Sequence, residues 1–199
     1  MIAIIDYGAG NLRSVKKAFD YLGVANKVVS NVDEARYIEK IVLPGVGAFG
    51  MAVQRLKEAG FFEFLRQWLF LNKPFLGICL GLQLLFEHSE ESKDIEGLAS
   101  FKGGNVRFKS GKVPQIGWNQ INIQNKSNLL DGIADQTFFY LFHSYYIAPK
   151  NKEIVVATTD YGVSYPTIIE SGNIYAVQFH PEKSGDSGLK LLKNWVEKC

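Results

Sequence analysis

The sequence predicts an α/β protein: an open, mostly parallel central sheet with helices on both faces, extended by antiparallel strands in the C-terminal half. Short β-branched runs alternate with stretches of helical periodicity through the first half. After about Gly97 the runs turn short and glycine-punctuated, and the helical periodicity fades. The 199 residues, 47% of them hydrophobic, are enough for one sizeable core and are read as a single domain, 1–199.

IAIID (2–6) is a buried strand by its unbroken apolar run. A helix over 11–22 follows, because Leu12, Val15, Ala18, Phe19 and Leu22 recur at helical spacing and Asn11 suits its N-cap. NKVVS (26–30) and KIVLP (40–44) are two further strands. Residues 49–71 read as helical, with Met51, Val53, Leu56, Phe61, Phe64, Leu65 and Trp68 turned inward. PFLGI (74–78) is a fourth strand leading straight into Cys79, after which the apolar spacing is again helical. Between Gly97 and Phe179 the runs GGNVRF, GWNQINIQ, TFFYLFHSYYI, EIVVATT and NIYAVQFH read as mostly antiparallel strands. A last helix, Gly188 to Lys198, carries Leu189, Leu191, Leu192, Trp195 and Val196.

Charge and composition narrow the function classes. A net charge of +2 with dispersed basic residues argues against a nucleic-acid or membrane surface. The opening run MIAIIDYG is far short of a spanning helix or a secretory signal. Two cysteines, at 79 and 199, make no disulfide framework, so a soluble cytoplasmic protein is expected. No Cys/His spacing suits zinc, so neither a metal nor a cofactor is expected.

In an open α/β sheet, ligands bind beyond the carboxyl ends of the strands. Three pieces fall there: DYGAGN (6–11), LPGVGAFG (43–50) and Cys79. Gly8 and Gly10 invite a dinucleotide reading, but Arg13 stands where the third glycine belongs, which favours a tight turn. Gly45, Gly47 and Gly50 let backbone N–H groups approach a ligand, as an oxyanion requires. Cys79, between Gly77 and Gly81, is either a small buried hydrophobe or a nucleophile on a strand-to-helix elbow. In QFHPEKS (178–184), Pro181 favours extended backbone before it, so His180 and Glu182 can share a side and form an oriented base. His88 reads as solvated at a helix end, and Cys199 as without a role.

LPGVG, then GICLGLQLLFE, then FHPEKS resembles the triad-type (class I) glutamine amidotransferases. DYGAGNLRSV, PQIGWNQI, FYLFHSYY and QFHPEKSGDSGLKLL resemble more closely the glutaminase subunits of imidazole glycerol phosphate synthases, from histidine biosynthesis. The resemblance implies a Cys79–His180–Glu182 triad, and an oxyanion hole from Leu80 and the Gly45, Val46, Gly47 segment. It also places glutamine near Gln83, Glu91, Ser144 and Tyr145, with His143 beside them as a pocket or core histidine. Gln115 stands where many relatives have histidine, outside the triad. Similarity through essentially the whole chain leaves no stretch for an acceptor domain, so a partner is expected. The resemblance makes it a (β/α)₈-barrel cyclase subunit in a heterodimer; Asn11, Trp118, Tyr140 and Lys183 are the candidates for the side that meets it, with a core position the equal alternative for Trp118 and Tyr140. The Val46–Gly47 peptide is expected to reorient before the oxyanion hole is complete, leaving the isolated chain a poor glutaminase. A paralogue feeding a sugar-amidating enzyme, another cysteine hydrolase and a non-catalytic subunit are the competing readings.

Overall fold

A computed structural model describes residues 1–35 and 37–199. The first half runs β1 (Ile2–Ile5), α1 (Leu12–Tyr21), β2 (Asn26–Val29), α2 (Val32–Ala35), β3 (Lys40–Gly45), α3 (Phe49–Glu58), α4 (Phe61–Phe70), β4 (Phe75–Cys79) and α5 (Leu80–Gln83). Strands β5 (Phe86–Ser89), β6 (Phe101–Arg107), β7 (Gln115–Gln120), β8 (Asn122–Ile123) and β9 (Phe138–His143) follow. The chain ends with β10 (Tyr145–Pro149), β11 (Val155–Asp160), β12 (Ser164–Ser171), β13 (Ile174–Val177) and α6 (Gly185–Lys198). Short 3₁₀ turns lie at Asn128–Leu130 and Pro181–Lys183.

The main sheet has eight strands in the order β2-β1-β3-β4-β13-β12-β11-β8. Pairing is parallel from β2 to β13 and antiparallel beyond. Strands β10-β6-β5 and β7-β9 form two smaller sheets. Period-two alternation divides the core in two. Ala3, Ile5, Ile41, Leu43 and Phe75 face α3 and α4, whereas Ile2, Ile4, Val42, Leu76 and Ile78 join α1 and α6. Strands buried on both faces explain the continuous apolar runs. Lys40, beginning β3, donates to the carbonyls of Trp195, Val196 and Cys199, so a cation satisfies the last turn of α6. No helix among the described residues is long and apolar enough to cross a membrane.

Several sequence expectations change. Asn11 occupies the N-cap position of α1 but its side chain makes no capping bond. The helical stretch 49–71 is two helices, because Gly60 takes the left-handed conformation (φ 75°) between them. Met51 lies half exposed on α3 rather than in the core. Only one helical turn follows Cys79; Leu82, Leu84, Leu85 and Phe86 are all buried, so the apolar spacing marked burial on every side. β13 was expected among mostly antiparallel strands, yet it lies between β12 and β4 and runs parallel to β4. α6 begins at Gly185, three residues before the expected start.

Candidate active site

Cys79 ends β4 directly opposite Gly45, the last residue of β3. Its backbone is left-handed (φ 55°, ψ −106°), a conformation that strains a non-glycine residue and aims it away from the strand. The flanking glycines make this bend possible. A Cβ on Gly77 would stand 2.8 Å from the Gly81 carbonyl oxygen, and one on Gly81 would stand 1.9 Å from that of Leu43. Only bare backbone lets α5 turn this tightly over β3 and β4.

His180 follows β13, the strand beside β4, and keeps the extended backbone expected before proline (φ −100°, ψ 93°). Glu182 reaches it through the 3₁₀ turn that Pro181 starts, rather than along an extended strand. The His180 Nδ1 to Glu182 Oε1 distance is 2.9 Å, with both side chains almost wholly buried. Ser184, absent from the sequence candidates, fixes the turn: its hydroxyl donates to the His180 carbonyl at 2.7 Å and accepts from the Tyr140 amide at 3.0 Å. Burial disfavours charge on His180, but Cys79 in front and Glu182 behind hold its pKa up, at about 10. His180 Nε2 is buried without a partner in strict hydrogen-bonding geometry, and Cys79 is the neighbour that most raises the ring's pKa.

A cavity of about 200 Å³ opens onto Cys79. It is lined by Val46, Gly47, Leu80, Gln83, Glu91, His143, Ser144 and Tyr145, together with Pro114 and Phe142, which the sequence reading missed. A larger hollow beside α6, about 690 Å³, holds none of the candidates, so size does not pick out the site. Gly45 sits behind the lining instead, where an added Cβ would lie 2.5 Å from the Tyr7 hydroxyl and 2.9 Å from Leu80 Cβ. Gly47 has φ 102° and open space beyond its Cα.

The expected glutamine-binding residues differ in how free they are. Glu91 spends one oxygen on the Phe49 amide at the start of α3, 2.6 Å away. His143 is a core histidine as well as a cavity wall: Nδ1 donates to the Tyr145 carbonyl at 2.9 Å, and Nε2 lies 3.2 Å from the Tyr165 hydroxyl. Burial pushes its pKa down to about 4, leaving the ring neutral. Gln83 is buried, and its amide nitrogen donates to the Tyr145 carbonyl at 2.8 Å and to Gln178 Oε1 at 3.2 Å. Gln178 in turn points Nε2 at Cys79 Sγ, 3.7 Å away. Gln115 is buried and accepts from Tyr165 at 2.7 Å, away from the sulfur chemistry.

Of the expected partner-facing residues, Trp118 is half exposed with Tyr140 edge-on beside it, ring centroids 6.1 Å apart. Lys183 Nζ lies 5.8 Å from the Tyr140 ring centroid. Asn11 is half buried at the start of α1. Ile116, Phe138 and Phe142 add exposed apolar surface on the same β7–β9 sheet, whose β9 alternates exposed and buried side chains. His88 is exposed as expected, but on β5 over Gly104 rather than at a helix end. The thiol of Cys199 is half buried near Tyr175. Among the described residues, no three His, Cys, Asp or Glu side chains cluster as a metal site would require.

Residues 3–199 match the family model of class-I glutamine amidotransferases. The imidazole glycerol phosphate synthase subunit HisH of Caldanaerobacter subterraneus is 47% identical over 202 residues, covering 100% of both chains. The same subunit from Methanothermobacter thermautotrophicus is 51% identical, over 99% of this chain and 98% of its own. Among solved structures, one titled glutamine amidotransferase superposes with a TM-score of 0.77 at 17% identity, covering 98% of this chain and 100% of that one. PurLQS from Thermotoga maritima superposes at 0.75 with 19% identity, over 98% and 96%; at such identities both speak for the fold alone.

Proposed function

The chain belongs to the class-I glutamine amidotransferases, within the family of imidazole glycerol phosphate synthase subunit HisH, and we propose that Cys79, His180 and Glu182 give it a glutaminase activity. The observation that carries this is one arrangement: a thiol on a strained elbow, an imidazole paired with a buried carboxylate, and a cavity opening on the sulfur. With the proton on His180, the Cys79 sulfur attacks the side-chain carboxamide carbon of glutamine. Backbone amides of Leu80 and of the Val46–Gly47 segment receive the oxyanion, a contribution worth about 3 kcal/mol per donor. His180 then protonates the nitrogen, the C–N bond breaks, and ammonia leaves a γ-glutamyl thioester on Cys79. Water, deprotonated by His180, attacks the thioester; glutamate departs and the sulfur recovers its electron pair. Glu182 holds the imidazole in one tautomer and stabilises its charged form.

Gly47, with its left-handed φ and unobstructed surroundings, supports a reorienting Val46–Gly47 peptide. The relatives' names support the histidine-pathway reading over a sugar-amidating one, and with it a partner subunit that consumes the ammonia. That partner we take to be a (β/α)₈-barrel cyclase, docked on the Trp118, Tyr140 and Lys183 face, with residues 1–199 acting as one domain. Ammonia must stay unprotonated to react, which favours a dry passage between subunits over release to water.

The full chain mixed with its cyclase should convert glutamine to glutamate, with ammonia entering the cyclase product. Cys79→Ala should abolish this while leaving partner binding intact. Turnover by Cys79→Ala at the parent rate, or vigorous turnover by the isolated chain, would overturn the triad and the reorienting peptide respectively.

A further inference from the structure

The amide of Gln178 has no freedom to choose which end meets the sulfur. The Tyr145 carbonyl can only accept, and it already accepts from His143 Nδ1 at 2.9 Å. The Gln83 atom 2.8 Å from it is therefore nitrogen. That nitrogen also lies 3.2 Å from the Gln178 amide, whose facing atom must then be oxygen. Gln178 Nε2 is left pointing at Cys79 Sγ, 3.7 Å away, with the residue completely buried. One main-chain carbonyl thus sets two amides in series and delivers a donor to the nucleophile.

We propose that Gln178 is a catalytic hydrogen-bond donor to the Cys79 sulfur, and that Gln83 is a positioning residue that holds Gln178 in its donating orientation. This rests on the glutaminase reading for its catalytic meaning, though not for its test. A neutral thiol accepts hydrogen bonds poorly and a thiolate accepts them well, so a fixed N–H donor favours the anion. Because Cys79 and Gln178 are both buried, the preference is stronger than it would be at a surface. The sulfur's other polar neighbour, the Phe142 carbonyl at 3.9 Å, can receive the thiol proton but offers the anion nothing. Besides His180, the titratable groups around the sulfur include the buried hydroxyls of Tyr7 and Tyr165, with the guanidinium of Arg55 beside Tyr7, and the Glu91 carboxylate lines the same cavity. The substitutions below leave all of them in place. The assignment also explains why Gln83 is not a free donor for substrate: both its N–H groups are committed.

The test is alkylation of the full chain by iodoacetamide, followed from pH 5 to 10 in a Cys199→Ser background. Gln178→Met keeps the side-chain length without the donor. Its alkylation midpoint should move to higher pH, with the rate at pH 7 falling about tenfold. Gln83→Met should shift the midpoint the same way by less, since Gln178 can then turn. The double variant should match Gln178→Met alone. With the cyclase present, kcat for glutamine should fall in each variant while KM changes little. If Gln178→Met is too unstable to purify, Gln83→Met carries the same test alone. A folded Gln178→Met with the parent alkylation profile, or additive effects in the double variant, would overturn the proposal. Alkylation needs neither glutamine nor partner, so an inactive parent enzyme would sink the glutaminase reading and leave this result standing.

Discussion

At the scale of single residues, the chemistry rests on which charges are held where. Glu182 lies 2.9 Å from His180 Nδ1 with both side chains almost wholly buried, and its negative charge helps keep the ring protonated. In Glu182→Gln, the His180 midpoint observed by NMR should move down from about 10, with Cys79 still raising it. Glutaminase kcat should fall on the order of a thousandfold or more as the tautomer is lost. A second residue-scale prediction concerns crowding. Gly45→Ala would press its methyl against the Tyr7 hydroxyl, so ammonia transfer to the cyclase should drop, and adding Tyr7→Phe should restore part of it. The pairing of His180 with Glu182 was legible in QFHPEKS because the proline between them limits their geometry. Gln178 was equally open to discovery: it stands two positions before His180, and the same alternation sends both toward the sulfur. Nothing in one dimension told that its amide would be oriented from Tyr145, because that depends on a contact 62 positions away from Gln83.

The secondary elements place these residues, and here glycine decides. α5 lies on β3 with no room for a methyl at Gly81, where an added Cβ would stand 1.9 Å from the Leu43 carbonyl oxygen. Gly81→Ala should therefore lower unfolding stability by about 3 kcal/mol or more, read as a shift of the urea midpoint. The parallel strands of the first half were legible as uninterrupted apolar runs, since both faces are covered. The length of α5 was not. A segment buried all round carries no amphipathic signature, so Leu82, Leu84 and Leu85 gave a helical spacing that the chain does not follow. One consequence bears on the sulfur: a single helical turn supplies little dipole, which leaves the proposed activation to the neighbouring His180 and Gln178. The direction of β13 was also beyond local reading, because pairing partners are chosen by topology rather than composition.

For the molecule as a whole, the two buried histidines pull stability in opposite directions with pH. His143 titrates at about 4 when folded and near 6.5 when unfolded, so the unfolded chain takes up its proton first on acidification. Stability should fall between roughly pH 6.5 and 4, by up to about 1.4 kcal/mol per pH unit from this group, and His143→Gln should flatten that slope in urea titrations. His180 has its pKa raised, so its contribution is complete below about 6.5 and vanishes as pH climbs through about 10. Trp118→Ala, on the exposed β7–β9 face, should weaken cyclase binding by about tenfold or more without moving the melting temperature.

The position of β13 in the sheet has a bearing on the life of the nascent polypeptide. Four strands carrying the sulfur can pair as they leave the ribosome, but their growing margin, β4, remains unmatched until residues 174–177 have been synthesised. The imidazole and its carboxylate ride in immediately behind that same insertion. A prematurely released fragment therefore bears the thiol without the imidazole and carboxylate proposed to activate it, and the proposed site exists only once the architecture has closed.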